Sequence, residues 1–197
     1  MSMGNFKSIL QESDAYRGDK EFYHGSSALF PFEEFDKRAE GSGIVSRRGK
    51  RYGGFFFTTE KDNAGYYTEN WMCTVSIRNL VVLSPEIATH PPQAMKIAST
   101  DRKNYVLQDV VDGDRISDIA IVPMSNLRDI NILRWEFVGD YDSWKESMDE
   151  IVFQGEDPWD NPSGLIEDVV EMMGGDFRRL MKIPEFKKYV NDHENEF

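Results

Sequence analysis

Tyr23-His24-Gly25-Ser26-Ser27 ends a short run that opens with Glu21 and Phe22, and its reading decides the fold. Phe22 and Tyr23 favour extended backbone and the following glycine interrupts it, so residues 21 to 25 are expected to form a brief strand. A second stretch, Gly53-Gly54-Phe55-Phe56-Phe57-Thr58-Thr59, reads as an aromatic strand entered through two glycines. Thr58 to Asp62 then looks like a helix start, with a threonine cap and acids in the first turn. The expected helix carries Ala64, Tyr67 and Trp71 at spacings of three and four, which puts them on one face, with Tyr66 beside them. A third stretch, Asp114-Arg115-Ile116-Ser117-Asp118-Ile119-Ala120-Ile121-Val122-Pro123, sets an acid at the opening of an apolar strand.

Around these stretches the chain is rich in short strands. Phe30, Phe32 and Phe35 are expected as buried anchors in a loop-rich segment, before Gly41-Ser42-Gly43 and a basic cluster, Arg47-Arg48-Gly49-Lys50-Arg51. Val75 and Ile77 alternate with Ser76 and Arg78 as in a half-buried strand running on to Leu83. A short helix is expected near Gln93 to Ala98, and strands at Tyr105–Val111, Ile119–Val122, Ile130–Leu133 and Glu136–Val138. Met1 to Lys20 is polar, with Phe6, Ile9 and Leu10 at helical spacing. Residues 1 to 138 therefore suggest an α+β domain with a split or curled antiparallel sheet.

After Gly139 the pattern turns helical. Tyr141 to Gln154 carries Trp144, Met148, Ile151 and Val152 along one stripe, most simply a packing face. Leu165–Met173 and Phe177–Met181 read as further helices, stopped at Gly174-Gly175 and at Pro184. Residues 139 to 197 hold 16 acidic and 6 basic side chains, so most of the chain's net charge of −12 lies in this helical extension. Nucleic-acid binding by that part is disfavoured, and a protein partner is the alternative use of its surface.

Composition narrows the class further. Forty per cent apolar residues, including thirteen Phe, eight Tyr and four Trp, are enough to fill a core. No apolar run approaches the roughly 18 to 20 residues that cross a bilayer, and the N-terminus lacks the order of a secretory signal, so a cytoplasmic protein is expected. The single cysteine, Cys73, sits at the entry to an apolar stretch and reads as buried packing. The three histidines, His24, His90 and His193, lack metal-ligand spacing, so no metal is expected.

The ordered series His24-Gly25-Ser26, Gly54 to Phe57, Tyr66-Tyr67 and Asp118 resembles the His-Tyr-Glu branch of ADP-ribosyltransferases. That branch includes the poly(ADP-ribose) polymerases, diphtheria-type toxins and transferase domains of phage polyvalent proteins. The resemblance covers about residues 21 to 134 and implies NAD as substrate, released nicotinamide, and a macromolecular acceptor that is protein or nucleic acid. A bacterial or phage effector or toxin, working in a bacterial or host cytosol, would suit it.

The resemblance implies a role for each matched residue. The backbone of Gly25 would pair with the carboxamide of NAD, where a side chain would obstruct. His24 would bond the adenosine-side ribose, and Tyr67 or Tyr66 would stack on the nicotinamide ring. Asp118 would fix a hydroxyl of the nicotinamide ribose and assist the acceptor. Ser26, Gly54 and Phe56 would complete the pocket. Arg51, closing the basic cluster, would reach the pyrophosphate, although a solvated loop is the plainer reading of that cluster. Cleavage runs through an oxocarbenium-like centre, as in glycoside hydrolysis, which needs a pinned ribose and favoured positive charge. These segments, distant along the chain, would have to converge on one dinucleotide.

The match departs from the family in its acid. Asp118 is one methylene shorter than glutamate, a difference in reach of roughly 1 to 1.5 Å. Either the strand sits closer, or another acid serves, or turnover is weak. The same fold holding NAD or ADP-ribose without turnover is the second reading, and an interaction protein acting through its acidic extension the third.

Overall fold

A computed structural model describes residues 15–16, 20–26, 28–35, 44–45, 51–112, 114–153 and 162–195. The early part holds β1 (Phe22–Ser26), β2 (Ile44–Val45), β3 (Arg51–Tyr52), β4 (Gly54–Thr58) and the short helix α1 (Lys61–Gly65). The middle holds β5 (Trp71–Ile77), β6 (Leu80–Val82), α2 (Pro91–Asp101), β7 (Asn104–Asp112) and β8 (Arg115–Pro123). A 3-10 turn over Met124–Asp129 leads into β9 (Ile130–Phe137) and then α3 (Tyr141–Val152), α4 (Pro162–Met172), α5 (Phe177–Leu180) and α6 (Pro184–Asn195). The fold is α+β, with one seven-stranded sheet in the order β6-β7-β8-β4-β1-β5-β9 and a separate β2–β3 pair. Pairing is antiparallel for β1–β4, β4–β8 and β7–β8 but parallel for β6–β7, so the sheet is mixed and not wholly antiparallel.

The described residues fall into two compact units interleaved along the chain. The first takes residues up to Tyr23, Phe35–Lys61 and Val75–Asn131; the second takes His24–Glu34, Asp62–Thr74 and the chain from Ile132 onward.

In the first unit, one register row runs Leu107–Ile119–Thr58–Tyr23 and another Tyr105–Ile121–Phe56. Residues paired across antiparallel strands share a face of the pleat. The face bearing Tyr105, Leu107 and Ile121 packs on Ala94, Met95 and Ala98 of α2, with Phe56 and Ile119 at its margin. On β4 the alternate residues Phe55 and Phe57 meet Phe35 edge-on, with centroids 4.8 and 5.3 Å away. Gly54 permits this packing, because a Cβ there would overlap the Val122 carbonyl and the tip of Met95.

The second unit is built around two indoles. Trp71 and Trp144 are both fully buried, meet edge-to-face at 5.8 Å, and donate their ring N–H groups to the same acceptor, the Leu29 carbonyl. Phe30, Met148, Val152, Ile166, Val170, Leu180, Phe186, Tyr189 and Val190 fill the rest. The Trp144, Met148 and Val152 stripe read from the sequence is thus a packing face. Asp140 caps α3 by accepting from the Ser143 N–H at 2.9 Å.

Three local expectations change. The helix after Thr59 ends at Gly65; Tyr66 and Tyr67 form a turn, and Trp71 opens a strand. Ala64 and Trp71 are buried while Tyr67 is 78% exposed, so these three do not share a helical face. α5 ends before Pro184 as expected, but Pro184 also starts a further helix, as proline does at a first helical position where no N–H is needed. Ile130 to Phe137 is one continuous strand, although its alternation shifts phase at Leu133 and Arg134, two successive exposed residues. A short helix is expected within Met1 to Lys20, of which only Ala15, Tyr16 and Lys20 are described, and Arg47 to Lys50 of the basic cluster also lie outside the described residues.

Candidate functional site

The matched residues divide between the two units. His24, Gly25, Ser26, Tyr66 and Tyr67 belong to the second; Arg51, Gly54, Phe56 and Asp118 belong to the first.

In the second unit, the end of β1 and the tyrosine turn are tied together by Thr68. Its hydroxyl accepts from the Ser26 N–H at 3.3 Å and lies within donating distance of the Ser26 and Trp71 carbonyls, at 3.1 and 2.7 Å. Gly25 lies against the same segment: a Cβ there would overlap the Ala64 carbonyl and sit 2.8 Å from Thr68 Cβ. Glycine is therefore required by the fold at this position. The turn itself closes through the Tyr67 N–H on Ala64 and the Thr68 N–H on Gly65. Tyr66 is 75% exposed and Tyr67 78%. Large aromatic side chains are normally among a protein's packing residues, and here two in succession face solvent beside the His-Gly-Ser segment. His24 itself is half-buried on β1.

Cys73, expected as packing, is fully buried in β5, and burial pushes its thiol up to about 12. A thiol so far from ionisation is a poor nucleophile.

In the first unit, Asp118 lies on β8 and is 5% exposed. Its Oδ2 accepts from the Tyr16 hydroxyl and the Lys20 ammonium, both at 2.9 Å, and its Oδ1 accepts from the Asp109 N–H at 3.1 Å. Asp109 has φ 53°, an unfavourable angle for a residue with a side chain, at the point where β7 slips register between Leu107 and Val110. That bulge accompanies the N–H bond to the acid. The Asp118 carbonyl accepts from the Thr59 N–H and its own N–H donates to the Thr59 hydroxyl, both at 3.0 Å, which fixes it further. Burial pushes the carboxyl up, but the Lys20 ammonium, the Asp109 N–H and the Tyr16 hydroxyl outweigh it and hold it below 3.8. In return, burial and the carboxylate push the Tyr16 phenol up to about 12, so it remains a donor. The hydrogen bond to Asp118 raises Lys20 above 10.5.

Gly54 is buried, Phe56 half-buried against the α2 cluster, and Arg51 opens the two-residue β3. Among the described residues no group of three or more His, Cys, Asp or Glu side chains is placed to hold a metal ion. No helix of the described residues is long and apolar enough to cross a membrane.

Sequence reasoning missed Thr68, Tyr16, Lys20 and Asp109. Thr68 left one faint signal, a hydroxyl residue directly after two tyrosines, whereas the other three reach Asp118 only through folding. No protein-family model matches the chain, and no curated protein or solved structure is detectably similar to it.

Proposed function

We propose that the chain has the split-sheet fold of the ADP-ribosyltransferases and transfers ADP-ribose from NAD to a macromolecular acceptor. One observation carries this reading: Thr68 fastens the Gly25–Ser26 strand end to a turn that presents two solvent-facing tyrosines. A flat, electron-rich ring beside a strand end suits a flat pyridinium, whose carboxamide pairs with backbone. In the reaction the bond between ribose C1′ and the nicotinamide nitrogen breaks, and nicotinamide leaves with the electron pair. An acceptor nucleophile then bonds to C1′ and releases its proton to solvent. The resemblance assigns the adenosine-side ribose to His24, the ring to Tyr67 or Tyr66, and a hydroxyl of the nicotinamide ribose to Asp118.

The test is incubation of the purified protein with labelled NAD and a cell lysate. Label is expected on macromolecules, accompanied by free nicotinamide, and both are expected to disappear in His24→Ala. If neither label transfer nor NAD binding is found, the reading is wrong.

A second reading has its own support. With three donors already on its carboxylate, Asp118 suits a module that holds NAD or ADP-ribose without cleaving it. Saturable NAD binding with no release of nicotinamide selects that alternative.

A further inference from the structure

The acid of the proposed site is covered by two side chains that differ in how firmly they are held. Tyr16 is anchored independently of Asp118: its N–H donates to the Leu80 carbonyl at 3.0 Å, and its ring lies 6.1 Å from that of Phe22. Its neighbour Ala15 bridges to Val81. Lys20 has a side chain 56% exposed, and its ammonium meets Asp118 Oδ2 at 2.9 Å beside the Tyr16 hydroxyl. An ammonium so exposed exchanges a carboxylate for water at little penalty, whereas the Asp118 side chain, 7% exposed, needs a donor in its place.

We propose that Lys20 is a positioning residue that guards Asp118, keeping its Oδ2 satisfied until a ribose hydroxyl replaces the ammonium there. This rests on the NAD reading above. Tyr16 and the Asp109 N–H stay in place through the exchange and keep the carboxylate aimed. No covalent bond changes: one charge-assisted hydrogen bond is released to solvent and one hydroxyl-to-carboxylate bond forms. Because the binding-competent state is the one with Lys20 withdrawn, the lysine lowers apparent affinity by the fraction of time it remains closed.

The proposal makes an expectation opposite in sign to simple electrostatics. NAD carries a net negative charge, so removing a nearby cation should weaken binding if Lys20 serves only as a general attractor. If it guards the acid, Lys20→Met binds NAD more tightly, by roughly threefold to tenfold. Titration calorimetry with NAD on the full chain, for wild type, Lys20→Met, Lys20→Arg and Lys20→Met/Asp118→Asn, reads this directly. Lys20→Arg is expected to return affinity toward wild type, and the double variant to lose the gain. Wild-type binding with equal or weaker affinity in a folded Lys20→Met overturns the guard and leaves the NAD reading standing. Absence of NAD binding in both proteins overturns the two together.

Discussion

Two corners of the molecule carry the residues that matter most here, and they treat their functional groups in opposite ways. Around Thr68, backbone and hydroxyl groups close the structure, while the rings of Tyr66 and Tyr67 are left to solvent. Around Asp118, the functional group itself does the closing: each carboxylate oxygen has a protein donor, supplied by Tyr16 and Lys20 on one and Asp109 on the other. A side chain whose polar atoms are satisfied internally contributes to folding first and to ligand binding only by exchange. One that folding leaves largely exposed, as Tyr67 is at 78%, can meet a ligand at a smaller structural penalty. Substitutions at the two corners should accordingly divide between stability and binding.

The largest effect is expected where the tyrosine turn meets the core. Trp71, three residues beyond Thr68, is fully buried against Phe137 at 4.9 Å and Trp144 at 5.8 Å, and donates to the Leu29 carbonyl. Trp71→Ala removes those contacts and opens a cavity, for an expected loss of about 3–5 kcal/mol in denaturant unfolding. A loss below about 1 kcal/mol would mean that the turn is held by Thr68 alone and that the indole pair is not its frame.

Asp118 comes next. Asp118→Ala leaves the Asp109 N–H and the Tyr16 hydroxyl without their acceptor, and about 1–3 kcal/mol of stability should go with it. The pH dependence follows from the directions of the shifts. Because the folded carboxyl titrates below its ordinary 3.8, the native state holds fewer protons than the unfolded chain near that pH. Its stabilisation is therefore complete above 3.8 and disappears as pH falls through the folded value. Lys20 is raised above 10.5, so its share is complete below 10.5 and is lost as pH rises through its own folded value. The stability gap between wild type and Asp118→Ala should thus be flat between those limits and narrow below 3.8. A gap that persists unchanged into strong acid would show that the carboxylate's charge is irrelevant to this corner.

The same contrast explains what was legible in the sequence. Strands announced themselves where local pattern and burial agree: Phe22 to Ser26, Gly54 to Thr58 and the apolar run after Asp118 all lie on strands. The α+β class followed from them. Helix periodicity misled at Tyr67 because three residues at spacings of three and four fit a helical face equally well when a turn and a strand carry them. The helix opened by Pro184 was missed because proline was read only as an end, and the apolar pattern of Phe186, Tyr189 and Val190 was the signal for a further helix. Asp118 was legible as an acid opening a strand, but its partners were not. Lys20 and Tyr16 lie 98 and 102 residues away, and no local rule links them to it. A parallel pairing such as β6 on β7 is hidden for the same reason, since its register is set across an intervening helix.

The smallest effect on stability is expected at the tyrosines, and it is the most informative for binding. With side chains 75% and 78% exposed, Tyr66→Ala and Tyr67→Ala should each change unfolding free energy by no more than about 0.5 kcal/mol. If one of them stacks on nicotinamide, its alanine variant should weaken NAD binding roughly tenfold while its phenylalanine variant, which keeps the ring, stays near wild type. Calorimetry on the four variants assigns the stacking ring, which the sequence left open between the two positions. Equal, wild-type affinity in both alanine variants would remove the aromatic partner from the site. What the Thr68 corner presents to solvent would then be surface, and the exposure that separates it from the Asp118 corner would carry no function.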